Sequence, residues 1–182
     1  MTRLIYLSLI LSLLGWACGT DHSDAGGEEA NDSLAVQPPL LDDFDGTQFR
    51  LTGNDLLRYD QELLTTHGQQ MLRLTLTHVG ELPAYSMGHN WVLLKPGTSI
   101  DDFAIEALDY KNNGFLPAET GDRVLAHTEM VGGGQSTTIE FPAPPPGTYD
   151  YICTFPNHYG FMNGQLVITA APEKPAAPAG NP

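Results

Sequence analysis

The run Cys153-Thr154-Phe155-Pro156-Asn157-His158-Tyr159-Gly160-Phe161-Met162 places a thiol, an imidazole and a thioether at relative positions 0, +5 and +9. Nothing else constrains the chain as much. Three soft or borderline donors on one short loop need a fold that brings a further donor to the same point. Met87-Gly88-His89-Asn90-Trp91, far upstream, offers a second imidazole. Two His, one Cys and a long axial Met make the donor set of a blue-copper electron-transfer site. Taken singly, each residue has a plainer reading. An isolated Cys is usually a buried structural residue and a lone Met is core filler. A lone His beside an apolar strand is usually a satisfied core or surface group. The common loop spacing lifts Cys153, His158 and Met162 above those readings.

The segments around the loop read as strands. In Met71–Val79, Leu72, Leu74 and Leu76 alternate with Arg73, Thr75 and Thr77, the pattern of a half-buried strand. Asn90-Trp91-Val92-Leu93-Leu94 is a continuous apolar run that suits a sandwich core. Val124–Thr128, Thr137–Phe141, Tyr149–Cys153 and Gln165–Thr169 are further short strands. Ser99 followed by Asp101 and Asp102 marks a helix start, with Phe103, Ala104, Ala107 and Leu108 as its apolar face and Asn112-Asn113-Gly114 as its stop. Gly132-Gly133-Gly134 has no following helix or Lys to hold phosphate, so it reads as a turn. The sum is an all-β, two-sheet Greek-key sandwich with one helical insertion.

Composition divides the 182 residues into four parts: an export signal over 1–17, an acidic linker over 18–43, a folded domain over 44–170 and a Pro/Ala-rich tail over 171–182. Arg3 and the mostly apolar Leu4–Leu14 form the signal, which is too short to span a bilayer comfortably. Leu14-Gly15-Trp16-Ala17-Cys18 resembles a bacterial lipobox, with Gly15 and Trp16 departing from the usual residues. It implies a lipid anchor on Cys18 and a periplasmic or outer-surface location. Ordinary cleavage nearby is the alternative. The linker carries acids and no base, and as a flexible coil would span about 25 Å (~5–6 Å × √n). With Cys18 at the signal's edge and Cys153 in the donor loop, neither cysteine is left for a disulfide. A net charge of −14 excludes nucleic acid as a natural partner.

The two donor segments, Met87 to Val92 and Cys153 to Met162, resemble the M-G-H-N-W-V and C-T-F-P-x-H-x-x-x-M motifs of azurins and auracyanins in the cupredoxin family. Gly53-Asn54-Asp55, Leu76-Thr77-His78 and Val124–Thr128 extend the resemblance in the same order, over roughly Phe49 to Thr169. It implies one type 1 copper held by His89, Cys153, His158 and Met162, with the Gly88 carbonyl as a weaker axial donor. It also implies that the N–H groups of Asn90 and Phe155 point at the Cys153 sulfur, and that the Asn90 side chain ties the segments together. His78 and His127 match non-ligand histidines, and His67 reads as a turn residue. Asn157 departs from the usual Gly, and the usual disulfide near the mature N-terminus is missing. In this family the His of the Cys loop is the electron exit, within an apolar patch. Here that patch would be Leu57, Leu82, Tyr85, Met87, Phe155 and Tyr159. The partners implied are redox proteins docking there, such as c-type cytochromes or a respiratory or photosynthetic complex, and the chain is expected to be monomeric.

Three other functions compete with a one-electron carrier. Copper oxidoreductases of this fold couple the blue site to a second copper through a His next to the Cys, but Ile152 and Thr154 flank Cys153 here. Copper storage or delivery proteins favour Met- or His-rich exposed sites, whereas this chain has five Met. A metal-free adhesive sandwich leaves the four-donor coincidence unexplained.

Overall fold

Alternation becomes topology through one strand. In β4, Met71–His78, the side chains of Leu72, Leu74, Leu76 and His78 are all fully buried. The backbone groups of β4 are paired on both sides. β1, Gly46–Asn54, runs parallel to it from Gly46↔Met71 to Gly53↔His78. β7, Ser136–Pro142, runs antiparallel on the other side. A short β2, Arg58–Tyr59, folds back on β1 and completes a sheet of order β2-β1-β4-β7. The computed structural model describes residues 43–172, so the signal, lipobox and linker readings over 1–42 and most of the tail lie outside it.

The facing sheet has the order β3-β9-β8-β5-β6, from Leu63–His67, Asn163–Thr169, Gly147–Ile152, Val92–Leu94 and Val124–His127. Between the sheets lie Leu51, Trp91, Tyr151, Leu166 and Ile168 with the three leucines of β4. The molecule is the all-β sandwich that the sequence patterning calls for, with two parallel pairs, β1·β4 and β3·β9, that no local pattern announces. The helical insertion, α2, spans Ile100–Ala107 after a four-residue α1, Ala84–Met87. The Ser99 hydroxyl accepts the Asp102 N–H at 3.3 Å, which caps one of the helix's unpaired donors. Phe103 and Ala104 pack with Val92, Leu94 and Ile152 in a second apolar cluster.

Three expectations need correction. Leu108 is 46% exposed rather than part of the apolar face, because the helix tightens there into a 3-10 segment, Leu108–Asn113, and the side chain rotates off the buried stripe. Asn90 and Trp91 precede β5 instead of belonging to it. His89 pairs with Val131, and Trp91 then bonds both the backbone and the hydroxyl of Thr128, so Asn90 bulges out of the ladder. Gly132 and Gly133 do more than turn the chain. They lie against the backbone of residues 81–84, and a Cβ on Gly133 would sit 2.5 Å from the Glu81 carbonyl carbon. Only Gly134, at φ +74°, is chosen for the turn itself.

Trp91 is fully buried and its Nε1–H finds no acceptor among the described residues, which is unusual for a buried indole. In a Trp16→Phe background, metal-free protein should therefore emit far to the blue of a solvated indole and shift red on guanidinium unfolding. Emission at the solvated position in the folded protein would contradict this packing.

Candidate metal centre

β8 ends at Ile152, and Cys153 opens a turn closed by its own backbone. The Cys153 N–H donates to the Met162 carbonyl at 2.9 Å, the His158 N–H to Phe155 at 3.0 Å, and the Met162 N–H returns to the His158 carbonyl at 2.8 Å. Thiol, imidazole and thioether are thus tied together before any ligand is considered. Asn157 takes φ +65°, a left-handed conformation that Gly adopts freely and Asn tolerates better than most residues. The departure from Gly at this position is conformationally mild.

His89 comes from the bridge to Val131. Its Nε2 lies 3.0 Å from the Asn54 carbonyl, which can only accept, so Nε2 carries the proton and Nδ1 a free lone pair. That Nδ1 is buried and has no hydrogen-bond partner among the described residues. The ring stacks on His78 at 4.1 Å between centroids. His78 is itself pinned, with Nδ1 accepting from Gly80 N–H at 3.0 Å and Nε2 donating to the Met87 carbonyl at 2.9 Å.

The donors meet. The ligand atoms of His89, Cys153 and His158 all lie within 4.8 Å of one another, and all three residues are buried. Cys153 Sγ is 3.6 Å from His158 Nδ1 and 3.8 Å from the Gly88 carbonyl oxygen. A Cβ on Gly88 would come within 2.6 Å of the Ala84 carbonyl and 2.7 Å of Met130 Sδ, so only Gly brings that carbonyl to the sulfur. Met162 is fully buried; its methyl lies 3.1 Å, and the His89 ring 2.7 Å, from the point a Gly53 Cβ would occupy. Gly53 therefore shapes the floor under both donors. Sequence reasoning missed this role, although Gly53 opens the Gly53-Asn54-Asp55 motif that it did single out.

Two segments 64 residues apart are joined by one side chain. Asn90 Oδ1 accepts the Thr154 N–H at 2.9 Å and Nδ2 donates to the Thr154 hydroxyl at 2.8 Å. Burial pushes the Cys153 thiol up to about 12, opposed in part by N–H donors from Asn90 and Phe155, the two groups expected at the sulfur. Burial, with His78 adding to it, drops His89 to about 4; burial, with His89 and His78 adding to it, does the same for His158. The site thus keeps both imidazoles neutral and leaves one buried lone pair unanswered. Two borderline nitrogens, a sulfur and a nearby thioether fit a soft or borderline metal ion, which would displace the thiol proton.

Among the other histidines, His127 is an exposed residue of β6 and His67 ends β3; neither belongs to the cluster. His158 is buried at 3% exposure. Of the apolar surround, Tyr85 is 84% and Leu82 42% exposed, while Leu57, Met87 and Phe155 are half-buried. Tyr159 packs instead on the second apolar cluster. Leu56 and Phe161 are large exposed apolar residues that the sequence reading passed over.

Residues 48–169 match the family described as copper-binding proteins, plastocyanin/azurin family. The azurin of Achromobacter denitrificans is 34% identical over 144 residues, which covers 75% of this chain and 92% of that protein. Among solved structures, the auracyanin of Roseiflexus castenholzii superposes with a TM-score of 0.62 at 31% identity, covering 68% of this chain and 98% of that one. Auracyanin A of Chloroflexus aurantiacus, described as a "blue" copper protein, gives 0.63 at 27% identity and covers 69% and 100%.

The buried imidazoles set a pH dependence. Both titrate lower in the folded chain than their ordinary 6.5, so the unfolded chain binds more protons between about pH 6.5 and pH 4. Metal-free protein should lose stability as pH falls through that window and level off below it. Urea midpoints measured across the window check this, and His89→Gln and His158→Gln should each flatten the slope. In a Cys18→Ser background the native thiol should resist alkylation at pH 8, where an exposed cysteine reacts.

Proposed function

Because this chain belongs to the plastocyanin/azurin family of copper-binding proteins, we propose that His89, Cys153 and His158 hold one copper ion, with Met162 and the Gly88 carbonyl as weak axial donors. The protein is a blue copper electron carrier and not an enzyme. Bound copper supplies a single-electron change between Cu(II) and Cu(I). The observation that carries the site assignment is the unpartnered, buried Nδ1 of His89, set beside Cys153 Sγ and His158 Nδ1.

The chain's residues do the rest. Cys153, once deprotonated by the metal, gives a sulfur whose charge is drawn off by the Asn90 and Phe155 N–H groups. The Asn54 carbonyl fixes the His89 tautomer, and the Asn90–Thr154 bonds fix the distance between the two segments. A donor set held this firmly changes little between oxidation states. His158, the histidine of the Cys153 loop, would provide the route out. Redox proteins would dock there, on an apolar surround that now includes Leu56 and Phe161, since exposed apolar patches mark such sites. Near contacts favour the apolar surface and longer-range steering a basic partner, given the −14 net charge. The domain would work outside the cytoplasm, exported by the 1–17 signal and held through a lipid on Cys18. Among the described residues no helix is long and apolar enough to cross a membrane.

Copper-loaded protein should be intensely blue with one ion per chain, and Cys153→Ser should abolish the colour. Met162→Gln should keep copper and lower the reduction potential. An unchanged potential in that variant would remove Met162 from the donor set.

A further inference from the structure

Asn90 has four polar groups and all of them are engaged. Its N–H is one of the two that oppose the upward push of burial on the Cys153 thiol, its side-chain oxygen and nitrogen hold Thr154, and Nδ2 also reaches the Gly114 carbonyl at 3.4 Å. The fourth group, its carbonyl, accepts the Tyr59 hydroxyl. This last bond differs in kind, because Tyr59 belongs to β2, in the opposite sheet. Tyr59 is 5% exposed and meets Tyr151 edge-on at 5.8 Å. β2 pairs with β1 at Gly53↔Tyr59, so Tyr59 is the direct neighbour of the glycine beneath His89 and Met162. One phenol therefore joins the floor of the site to the residue whose amide faces the sulfur.

We propose that Tyr59 is a positioning residue for the copper site: its hydroxyl fixes the Asn90 backbone and thereby sets the strength of the Asn90 N–H bond to Cys153. The inference rests on Cys153 being the copper ligand. Asn90 lies outside the regular ladder, and among the described residues no backbone group takes its carbonyl, so without the phenol the buried carbonyl loses its partner and its peptide is held only through the Trp91 N–H on the Thr128 hydroxyl. A weaker N–H bond leaves more charge on sulfur, which favours Cu(II) over Cu(I) and lowers the reduction potential. Tyr151 provides the matched control. It is also buried and aromatic, but its hydroxyl donates to the Gln61 carbonyl at 2.7 Å, which is not a site residue.

The test compares Tyr59→Phe and Tyr151→Phe with wild type. Wild-type protein that binds copper without turning blue would sink the site assignment itself. With a blue wild type, Tyr59→Phe should bind one copper, show a lower potential and shift the sulfur-to-copper absorption band, while Tyr151→Phe leaves both in place. In metal-free protein the Asn90 amide resonance should move in Tyr59→Phe and stay in Tyr151→Phe. This readout does not depend on copper. Equal losses of melting temperature in the two variants, with potential, band and amide resonance unmoved, would make Tyr59 a packing residue only and overturn the proposal.

Discussion

Everything at the metal-binding end depends on the pair of hydrogen bonds between Asn90 and Thr154. The two donor segments are far apart in sequence and flank the neighbouring strands β5 and β8, whose ladder pairs Val92 with Ile152 but does not itself hold the residues beyond that pair. A buried amide that gives and accepts with one residue does, and its two bonds, 2.8 and 2.9 Å long, leave little freedom between His89 and Cys153. Buried, fully satisfied polar pairs rigidify more than apolar contacts of the same area, because breaking either bond strands a polar group. Asn90 can play this part only because it has left the β5 ladder, so the irregularity there is a condition of the site.

The protein holds its donors in a state that disfavours charge on any of them. A proton on either imidazole is opposed by burial, and an anionic sulfur is opposed by burial as well. The Nδ1 of His89 has no hydrogen-bond partner, which costs folding energy wherever no cation answers it. These are costs the sandwich can bear because the core beneath is continuous: Cys153 and Met162 belong to the same cluster as Trp91, Tyr151 and the leucines of β4. Site and core are one packed body. That is why donors from a loop can be as fixed as donors from a strand.

Much of this was legible in the sequence. Leu72, Leu74 and Leu76 announced their strand, Ser99 its helix, and the 0, +5, +9 spacing its donor loop, because each is a local pattern with a local cause. The parallel pairing of β1 with β4 was not legible, since both strands are specified only by each other. Nor was the role of Gly53, which is visible only as the space that two distant side chains fill. Tyr59 stands in no sequence pattern, because its partner is a backbone carbonyl, which sequence does not mark. Leu108 failed for a different reason: a period of 3.6 was assumed past the point where the helix changes to three residues per turn.

The direction of the strands settles one further matter of access. β1 begins at Gly46 and reaches Gly53 beneath the donors, a run of roughly 23 Å at about 3.3 Å per residue. β9 starts at Asn163, just after Met162, and runs away from the donors to Thr169. The two far ends meet: Thr47 bonds Thr66 at 2.9 Å, and Thr66 lies in β3 beside the last residues of β9. The turn that carries His158 therefore lies at the opposite pole from both ends of the described domain.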